Sequence, residues 1–253
     1  MALTDKLTAI ANAIRGKTGK TEPLTLDAMP GEIDGISTGG VSEQEIIEAI
    51  ATNNYPAGDL VINSYLQPQC FMRKSKITSV RLKGSIRQSE SAFQNCTGLK
   101  SAVIEAGDAG FAYRLFQGCS ALEYVDYRIA GTTTNMFNSC TALKRFEGGV
   151  NFCSIHGDGT FYKCTALKHI VLRQLTTMQG TYCFNQSSIA QGGVGCNIYV
   201  PRDLIEEQRT ATNWAVYDAY GTITWKALED YTVDGTTTGA MDWAKIEAEE
   251  ESA

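Results

Sequence analysis

Asp126 and Glu147 are two acidic residues whose spacing could support glycoside hydrolysis. That reaction uses two carboxyl groups placed on either side of the scissile bond. Both residues occupy the same position in successive copies of a repeated segment, so a stacked fold would bring them into neighbouring strands. Nothing else in the sequence marks either residue as catalytic. Cleavage of a polysaccharide is therefore the third of three hypotheses for the function.

Four further residues, Cys153, His156, Cys164 and His169, carry the side chains that bind zinc. They lack the Cys-x-x-Cys spacing that anchors most structural zinc sites. A cysteine and a histidine could also form a nucleophile and its base, but no third residue that would orient the base is evident. Residues 157–159 predict a glycine-rich turn rather than a calcium loop. We therefore expect no catalytic residue, no bound metal and no cofactor.

Composition and charge exclude several other classes of function. The chain has 253 residues and a net charge of -6, and most of that charge lies in residues 231–253, which hold six acidic residues and one lysine. We expect this acidic tail to be solvent exposed. No basic patch indicates a nucleic-acid partner, and no apolar run approaches the roughly 18 residues that span a membrane. Residues 11–18 loosely match a phosphate-binding loop, but they fall within a predicted helix and its exit, and no alternation of strands and helices follows.

A repeated segment runs through the middle of the chain, and its four full copies read Phe-x-x-Cys-Thr/Ser-x-Leu. Their phenylalanines are separated by 23, 21 and 24 residues, and degenerate copies begin at Phe71 and Phe184. Self-similarity at this period is typical of a solenoid, in which each copy forms one turn. We expect the repeated side chains to form buried ladders, with the cysteines as small, free apolar groups. The ladder residues are Phe93, Cys96, Leu99, Phe116, Cys119, Leu122, Phe137, Cys140, Leu143, Phe161, Cys164 and Leu167.

Each leucine is followed by residues that alternate with the two-residue period of a β-strand. Positions three and five after the leucine are mostly apolar and predict the inner side of a sheet, whereas positions two, four and six predict its outer side. The outer positions combine aromatic rings with charges of both signs, which suits contact with a carbohydrate or a protein. The candidate binding residues are therefore Tyr124, Asp126, Arg128, Arg145, Glu147, His169 and Arg173.

Residues 91–99 read Ser-Ala-Phe-Gln-Asn-Cys-Thr-Gly-Leu and carry a resemblance to a known family. This pattern is similar to the leucine-rich repeats of BspA-like bacterial surface proteins, and it extends over about residues 71–200. The resemblance implies a mainly β, curved leucine-rich-repeat solenoid that serves adhesion. Gly148 stands at an inner strand position where most other copies have a larger side chain.

Short elements are predicted on both sides of the solenoid. Helical spacing of apolar residues in residues 3–14 and a capping box at residues 42–45 predict short N-terminal helices. A strand, a helix and a further strand predict an α/β C-terminal cap, with Trp214, Tyr217 and Trp225 covering the last repeat. The predicted domains are an N-terminal helical attachment module (1–38), a linker with a short helix (39–58), the solenoid (59–200), the cap (201–229) and the acidic tail (230–253).

Residues 7–33 resemble a short module that is common in tail-associated proteins of phages and prophages of Gram-positive bacteria. The resemblance covers about the first 36 residues and implies attachment to a tail. The leading hypothesis is therefore a non-enzymatic virion protein of the tail tip or tail fibre that recognises the host surface. The alternative is a bacterial cell-surface adhesin built from the same repeats.

The tail hypothesis also sets expectations for partners and localisation. The partners would be other phage tail proteins, a host cell-surface glycan or protein, and further copies of the chain, with a trimer preferred. Because the N-terminus has no apolar signal region, the protein would be made in the host cytoplasm and carried in the virion tail. Neither nucleic-acid binding nor membrane insertion is expected.

Overall fold

Residues 58–63, 66–87, 89–105, 112–132 and 134–252 are described by the structure, which is a computed structural model. The predicted attachment module (1–38) lies outside the described residues, and so does the linker with its short helix (39–58), apart from Gly58. The N-terminal helices therefore stay a prediction. Within the described residues, no helix is long and apolar enough to cross a membrane.

The described chain forms a parallel β-solenoid, which confirms the predicted fold class. Its strands are β1 (Gly58–Ile62), β2 (Ile77–Leu82), β3 (Ser101–Ile104), β4 (Tyr124–Tyr127), β5 (Arg145–Gly148), β6 (Ser154–Ile155), β7 (His169–Val171), β8 (Thr177–Met178), β9 (Cys196–Val200) and β10 (Ile223–Ala227). One sheet has the order β1-β2-β3-β4-β5-β7-β9-β10, and β6 pairs with β8 in a second, two-stranded sheet. All neighbouring strands are parallel. Each strand of the large sheet belongs to the turn that follows the turn of its neighbour in this order.

The strand register follows the two-residue alternation of the sequence. Val125 of β4 pairs with Ala102 of β3 on one side and with Phe146 of β5 on the other. These inner side chains are fully buried, whereas the residues between them are partly exposed. Each repeat therefore hides its apolar positions only by stacking on its neighbours, as the periodicity requires.

The phenylalanines of successive turns stack face to face along the solenoid. From Phe71 to Phe184 their ring centroids lie 4.9–5.8 Å apart, with interplanar angles of 2–19°. Every residue of the phenylalanine, cysteine and leucine ladders is fully buried. The stack therefore forms an aromatic spine inside the turns, in addition to the apolar face of the sheet.

The cysteines of the ladder are free thiols, and each is bonded to the preceding turn. The thiol of Cys140 donates to the carbonyl oxygen of Phe116 at 3.2 Å, and that of Cys119 donates to Phe93 at 3.0 Å. Cys96 and Cys164 make the same contact one rung before and one rung after. A thiol is a weak donor, but here it gives a buried carbonyl group a further partner. The cysteine therefore links adjacent turns as well as filling space.

In the turns around the phenylalanines from Phe71 to Phe161, the residues two before and two after the phenylalanine have a left-handed backbone. Around Phe137 these are Asn135 (φ 57°) and Ser139 (φ 61°). The amide of Ser139 donates to the carbonyl of Tyr162 in the next turn at 2.8 Å, and equivalent bonds join the other turns. The turns thus form a hydrogen-bond ladder of their own beside the sheet. Left-handed backbone favours glycine and asparagine, but lysine and arginine also occupy these positions, so the sequence does not signal them.

Gly148 stands at an inner position of β5, and the ring of Phe152 occupies the space that its missing side chain leaves. A Cβ atom on Gly148 would lie only 2.6 Å from Cδ1 of Phe152. The Phe152 ring centroid is 5.2 Å from that of Phe146 and 5.7 Å from that of Tyr127. The core therefore stays closed at Gly148, which is the last residue of β5.

The C-terminal cap closes the aromatic spine. Its helices are α1 (Ile205–Thr210) and α2 (Trp214–Asp218). The rings of Trp214 and Tyr217 lie 5.8 and 5.6 Å from that of Phe184, the last rung. Gln208 is fully buried, and its side-chain amide exchanges hydrogen bonds of 2.7 and 2.8 Å with the backbone of Thr176. The cap is thus fixed by ring packing and by a satisfied buried amide.

The acidic tail folds back onto the solenoid, so the expectation of a solvated end holds for its glutamates but is wrong for its apolar residues. It contains a bridge between Thr232 and Met241, followed by helix α3 (Trp243–Glu251). A second apolar cluster joins it to the outer side of the sheet, and its buried members are Val171, Tyr199, Leu228, Met241 and Ile246. Burial of apolar side chains on both partners outweighs the charge of the tail, because its glutamates can remain at the surface of α3.

Candidate functional site

The outer side of the sheet holds the candidate binding residues in two rows. In the first row Tyr124 pairs in register with Arg145, which pairs with His169. In the second row Asp126 pairs in register with Glu147. Three consecutive strands, β4, β5 and β7, position these side chains, because the strands are parallel and in register. The two rows nevertheless have different surroundings.

Helix α3 packs against the first row. The guanidinium group of Arg145 lies 4.7 Å from the ring centroid of Trp243, and the ring of His169 lies 5.6 Å from it. Nε2 of His169 is 3.2 Å from a carboxylate oxygen of Glu250. His169 is only 5% exposed. The prediction that this row is an open contact surface is therefore wrong for His169, because α3 covers this side chain.

The environment of His169 disfavours its charged form. Burial lowers the pKa of the His169 imidazole below its ordinary value, while the nearby carboxylate of Glu250 opposes that shift. Arg145 and Lys168 also lower this pKa, and Glu247 raises it. A neutral imidazole at this position can keep its 3.2 Å contact from Nδ1 to the hydroxyl group of Tyr199. The histidine is thus part of the joint between sheet and tail.

The second row lines an open cleft of about 490 Å³, here called the charged cleft. Five charged side chains line it, namely Glu105, Asp126, Arg128, Glu147 and Arg173. Its rim is formed by residues 149–151 on one side and by residues 238–240 of the tail on the other. Four of the seven predicted binding residues therefore meet here, and the tail completes the cleft instead of covering it.

The two arginines of the charged cleft have different roles. Arg173 is almost fully buried, with its side chain 6% exposed; it binds Glu147 at 2.7 Å and donates to the carbonyl groups of Thr237 and Gly239 at 2.8 Å. It therefore holds the tail loop against the sheet. Arg128 is 50% exposed and lies 2.7 Å from Asp126 and 3.6 Å from Glu105. Arg128 is the cation that a ligand in the cleft could reach.

The charged cleft suits recognition better than hydrolysis. Each carboxylate of the suggested catalytic pair is engaged by an arginine of the same surface, Asp126 by Arg128 and Glu147 by Arg173. A glycoside hydrolase needs one carboxyl group that can give its proton to the leaving oxygen. The cleft instead presents fixed acceptor oxygens beside one accessible guanidinium group, an arrangement that can bind hydroxyl, amino or carboxyl groups of a ligand.

Residues 64–191 match six copies of the BspA type leucine rich repeat region. The chain belongs to the family of BspA-type leucine-rich-repeat proteins. The crystal structure of a leucine-rich repeat protein from Bacteroides ovatus is similar, with a TM-score of 0.46 and 23% sequence identity. That similarity covers 67% of this chain and 42% of the other protein, so the present chain spans less than half of its length. No curated protein sequence matches the chain.

The BspA-type repeat accounts for the scaffold and not for the charged cleft. The phenylalanine, cysteine and leucine of each copy are fully buried, so they support the fold and are not available to a ligand. The cleft residues stand at outer strand positions and just beyond them, outside the Phe-x-x-Cys-x-x-Leu signature. The side chains that a ligand could reach in this cleft therefore stand outside the repeat signature.

The four residues considered for zinc are not brought together. Cys164 lies inside the core with its thiol bonded to Phe137, whereas His169 is on the outer side of the sheet under α3. His156 is instead bonded to Ser154 Oγ at 2.7 Å. Among the residues that the structure describes, no group of three or more histidine, cysteine or acidic side chains could hold a metal ion.

The sequence did contain a weak signal for the docked tail that was overlooked. Trp243 and Ile246 are three residues apart, which places both on one side of a helix. Met241 precedes them, and the acidic residues fall mostly between and after these apolar ones. Apolar residues at helical spacing in an otherwise charged terminus indicate a packed helix, even where the net charge suggests a solvated end.

Proposed function

We propose that this BspA-type chain is a non-enzymatic recognition protein that binds a polar component of a bacterial cell surface. The charged cleft is the observation that carries the proposal. It is built on adjacent strands of a stacked sheet, and its carboxylates are held by ion pairs, so a ligand would meet groups that are already ordered. Such preorganisation lowers the entropic cost of binding.

The setting that we propose is the tail of a phage or prophage. Its support is the resemblance of residues 1–36 to tail-associated modules, which lie outside the described residues. In this setting the N-terminal module attaches the chain to other tail proteins, a trimer is the preferred assembly, and the solenoid meets the host surface. The alternative setting is a bacterial surface adhesin, and membership of the BspA-type repeat family favours it.

Cell binding tests the proposal directly. The full chain, fluorescently labelled, is incubated with a panel of Gram-positive cells and with their isolated walls. We expect Arg128→Glu to weaken binding by at least about tenfold, because it adds a fourth carboxylate to the cleft, next to Asp126 and Glu105. The matched control is Lys144→Glu, which breaks an exposed ion pair with Glu123 outside the cleft. If wild type binds no cell or wall of the panel, the proposal fails; if both variants bind like wild type, the cleft is not the site.

Two further measurements address the non-enzymatic role and the setting. Release of reducing sugar from the same walls by wild type, and not by Glu147→Gln, would contradict the non-enzymatic proposal. Immunogold electron microscopy of induced phage particles would label tails in the phage setting. Label on the surface of uninduced cells would favour the adhesin.

A further inference from the structure

We infer that the chain has a second binding site, on the turn side of the solenoid, that takes a neutral saccharide. The site is an open groove of about 350 Å³, here called the turn groove, formed by the turns around Phe137, Phe161 and Phe184. Its lining side chains are Asn135, Asn138, Asp158, Tyr162, Tyr182 and Asn185. None of these residues belongs to the strands or to the charged cleft, so the inference extends the recognition role without depending on that cleft.

Gly159 is the reason that a groove exists at this point of the repeat. In the neighbouring turns the residue two before the phenylalanine is Asn135 or Tyr182, and both have side chains. Gly159 has none, and a Cβ atom there would lie 2.4 Å from Oδ1 of Asn135. The Asn135 amide therefore lies against the backbone of Gly159, and no side chain at position 159 stands between Asn135 and Tyr182.

The amide groups of the groove are held in position. Nδ2 of Asn138 donates to Oδ1 of Asn135 at 3.1 Å, and the hydroxyl group of Ser139 donates to Oδ1 of Asn138 at 2.7 Å. On the far side, Oδ1 of Asn185 lies 3.3 Å from the hydroxyl group of Tyr217, which belongs to the cap. Side-chain amides carry donors and acceptors on one rigid group, as the hydroxyl groups of a sugar ring require.

Two tyrosine rings supply apolar contact beside these amides. Tyr182 is 58% exposed, which is high for a large aromatic side chain, and Tyr162 is half-buried. The ammonium group of Lys163 lies 5.3 Å from the Tyr162 ring centroid. An aromatic ring next to oriented polar groups matches the face of a pyranose, which has C–H groups across its plane and hydroxyl groups around its edge.

The charge of the groove selects a neutral ligand. Asp158 is the one charged side chain of its lining, and Oδ1 of Asp158 accepts a hydrogen bond from the backbone amide of Tyr182 at 3.4 Å. An anionic polymer would meet no cation among the lining side chains, because Lys163 is outside the lining and lies over the Tyr162 ring, whereas the charged cleft offers Arg128. A peptide that binds by strand addition would require an exposed strand edge, and the lining of the turn groove contains no strand.

Titration with defined oligosaccharides tests the inference. The full chain is titrated by calorimetry and by saturation-transfer NMR with cello-, chito-, malto- and galacto-oligosaccharides. We expect at least one to bind, and we expect Tyr182→Ala and Asn138→Ala each to weaken that binding by roughly tenfold or more. The control Tyr113→Ala removes another partly exposed tyrosine, 40% exposed, outside the groove and should leave affinity unchanged. Thermal unfolding of each variant shows that it is folded.

The outcomes separate the turn groove from the charged cleft. Binding that survives Arg128→Glu and is lost in Tyr182→Ala supports the groove, even if cell binding by the cleft fails. Binding that is lost in Arg128→Glu, or that disappears with added salt, belongs to the cleft and overturns the inference. It is also overturned if no oligosaccharide binds, or if Tyr182→Ala binds as well as wild type.

Discussion

The guanidinium group of Arg145 lies 4.7 Å from the ring centroid of Trp243, and this contact joins the middle of the solenoid sheet to the last helix of the chain. Arg145 also forms an ion pair with Glu247 of the same helix, at 3.8 Å. A cation over an indole ring contributes more when both groups are partly removed from water. The tail is therefore a packed element of the BspA-type solenoid, and one rim of the charged cleft depends on it.

Replacement of Trp243 should release the tail. We expect Trp243→Ala to lower the free energy of docking by about 1–3 kcal/mol, because it removes the contacts with Arg145 and His169 and part of the second apolar cluster. Hydrogen exchange should show loss of protection in α3 and in residues 237–241, with little change in β2 to β5. Val233→Ala is the control, since Val233 is 73% exposed. Unchanged protection of α3 would show that other contacts hold the tail.

Docking of the tail should weaken at mildly acidic pH. Burial lowers the pKa of His169 in the folded chain below its ordinary value of 6.5. When the tail is released, the His169 imidazole becomes exposed and takes up a proton at a higher pH than in the docked state. The stability of docking is therefore fully present above about pH 6.5 and declines as the pH falls below that value. Proteolysis of the tail should be faster at pH 5.5 than at pH 7.5.

The two histidines of the chain allow a matched control for this pH effect. His169→Gln should flatten the dependence of tail proteolysis on pH, because it removes the titrating group. His156→Gln should keep the dependence, since His156 is bonded to Ser154 away from α3. An equal pH dependence of tail proteolysis in both variants would show that groups other than His169 cause it.

The thiols should differ sharply in reactivity in the native protein. Burial raises the pKa of Cys96 to about 11 and that of Cys70 to about 12, and it also raises the pKa of Cys140 well above its ordinary value. Cys153 is exposed. A thiol reagent at neutral pH should therefore modify Cys153 quickly and the ladder cysteines only after unfolding, when all eight react. In Cys153→Ser the fast phase should vanish, and a persistent fast phase would mean that the ladder opens in the native state.

The aromatic spine should be sensitive to loss of a central rung. Phe137 stacks between Phe116 and Phe161 and also meets the rings of Tyr127 and Phe146 edge-on. We expect Phe137→Ala to lower the free energy of unfolding in urea by about 3–5 kcal/mol. Because each turn contacts only its neighbours, the two halves should also begin to unfold separately. Val150→Ala, at an exposed position, should have little effect. A similar loss of unfolding free energy in both variants would show that removal of the stacked ring is not its cause.

The interior of the solenoid was determined by the sequence alone. The spacing of Phe116, Cys119 and Leu122 recurs in every full copy, and one pattern of burial satisfies all copies at once. The strand register follows from the same period, because a shift by one residue would turn every apolar side chain outward. The C-terminal cap could likewise be predicted from the sequence, because Trp214 and Tyr217 follow the last copy and the end of the repeat array has apolar surface that must be covered.

Only the tertiary structure decided what lies on the outer surfaces. Alternation within a strand shows that Arg145 and His169 point away from the core, but it cannot show whether water or another part of the chain covers them. That depends on contacts with Trp243 and Glu250, which are far away in sequence and obey no repeat. The turn groove likewise depends on left-handed turns and on the space beside Gly159. A periodic sequence thus fixes the interior, where all copies share one environment, whereas the surface depends on contacts that occur once.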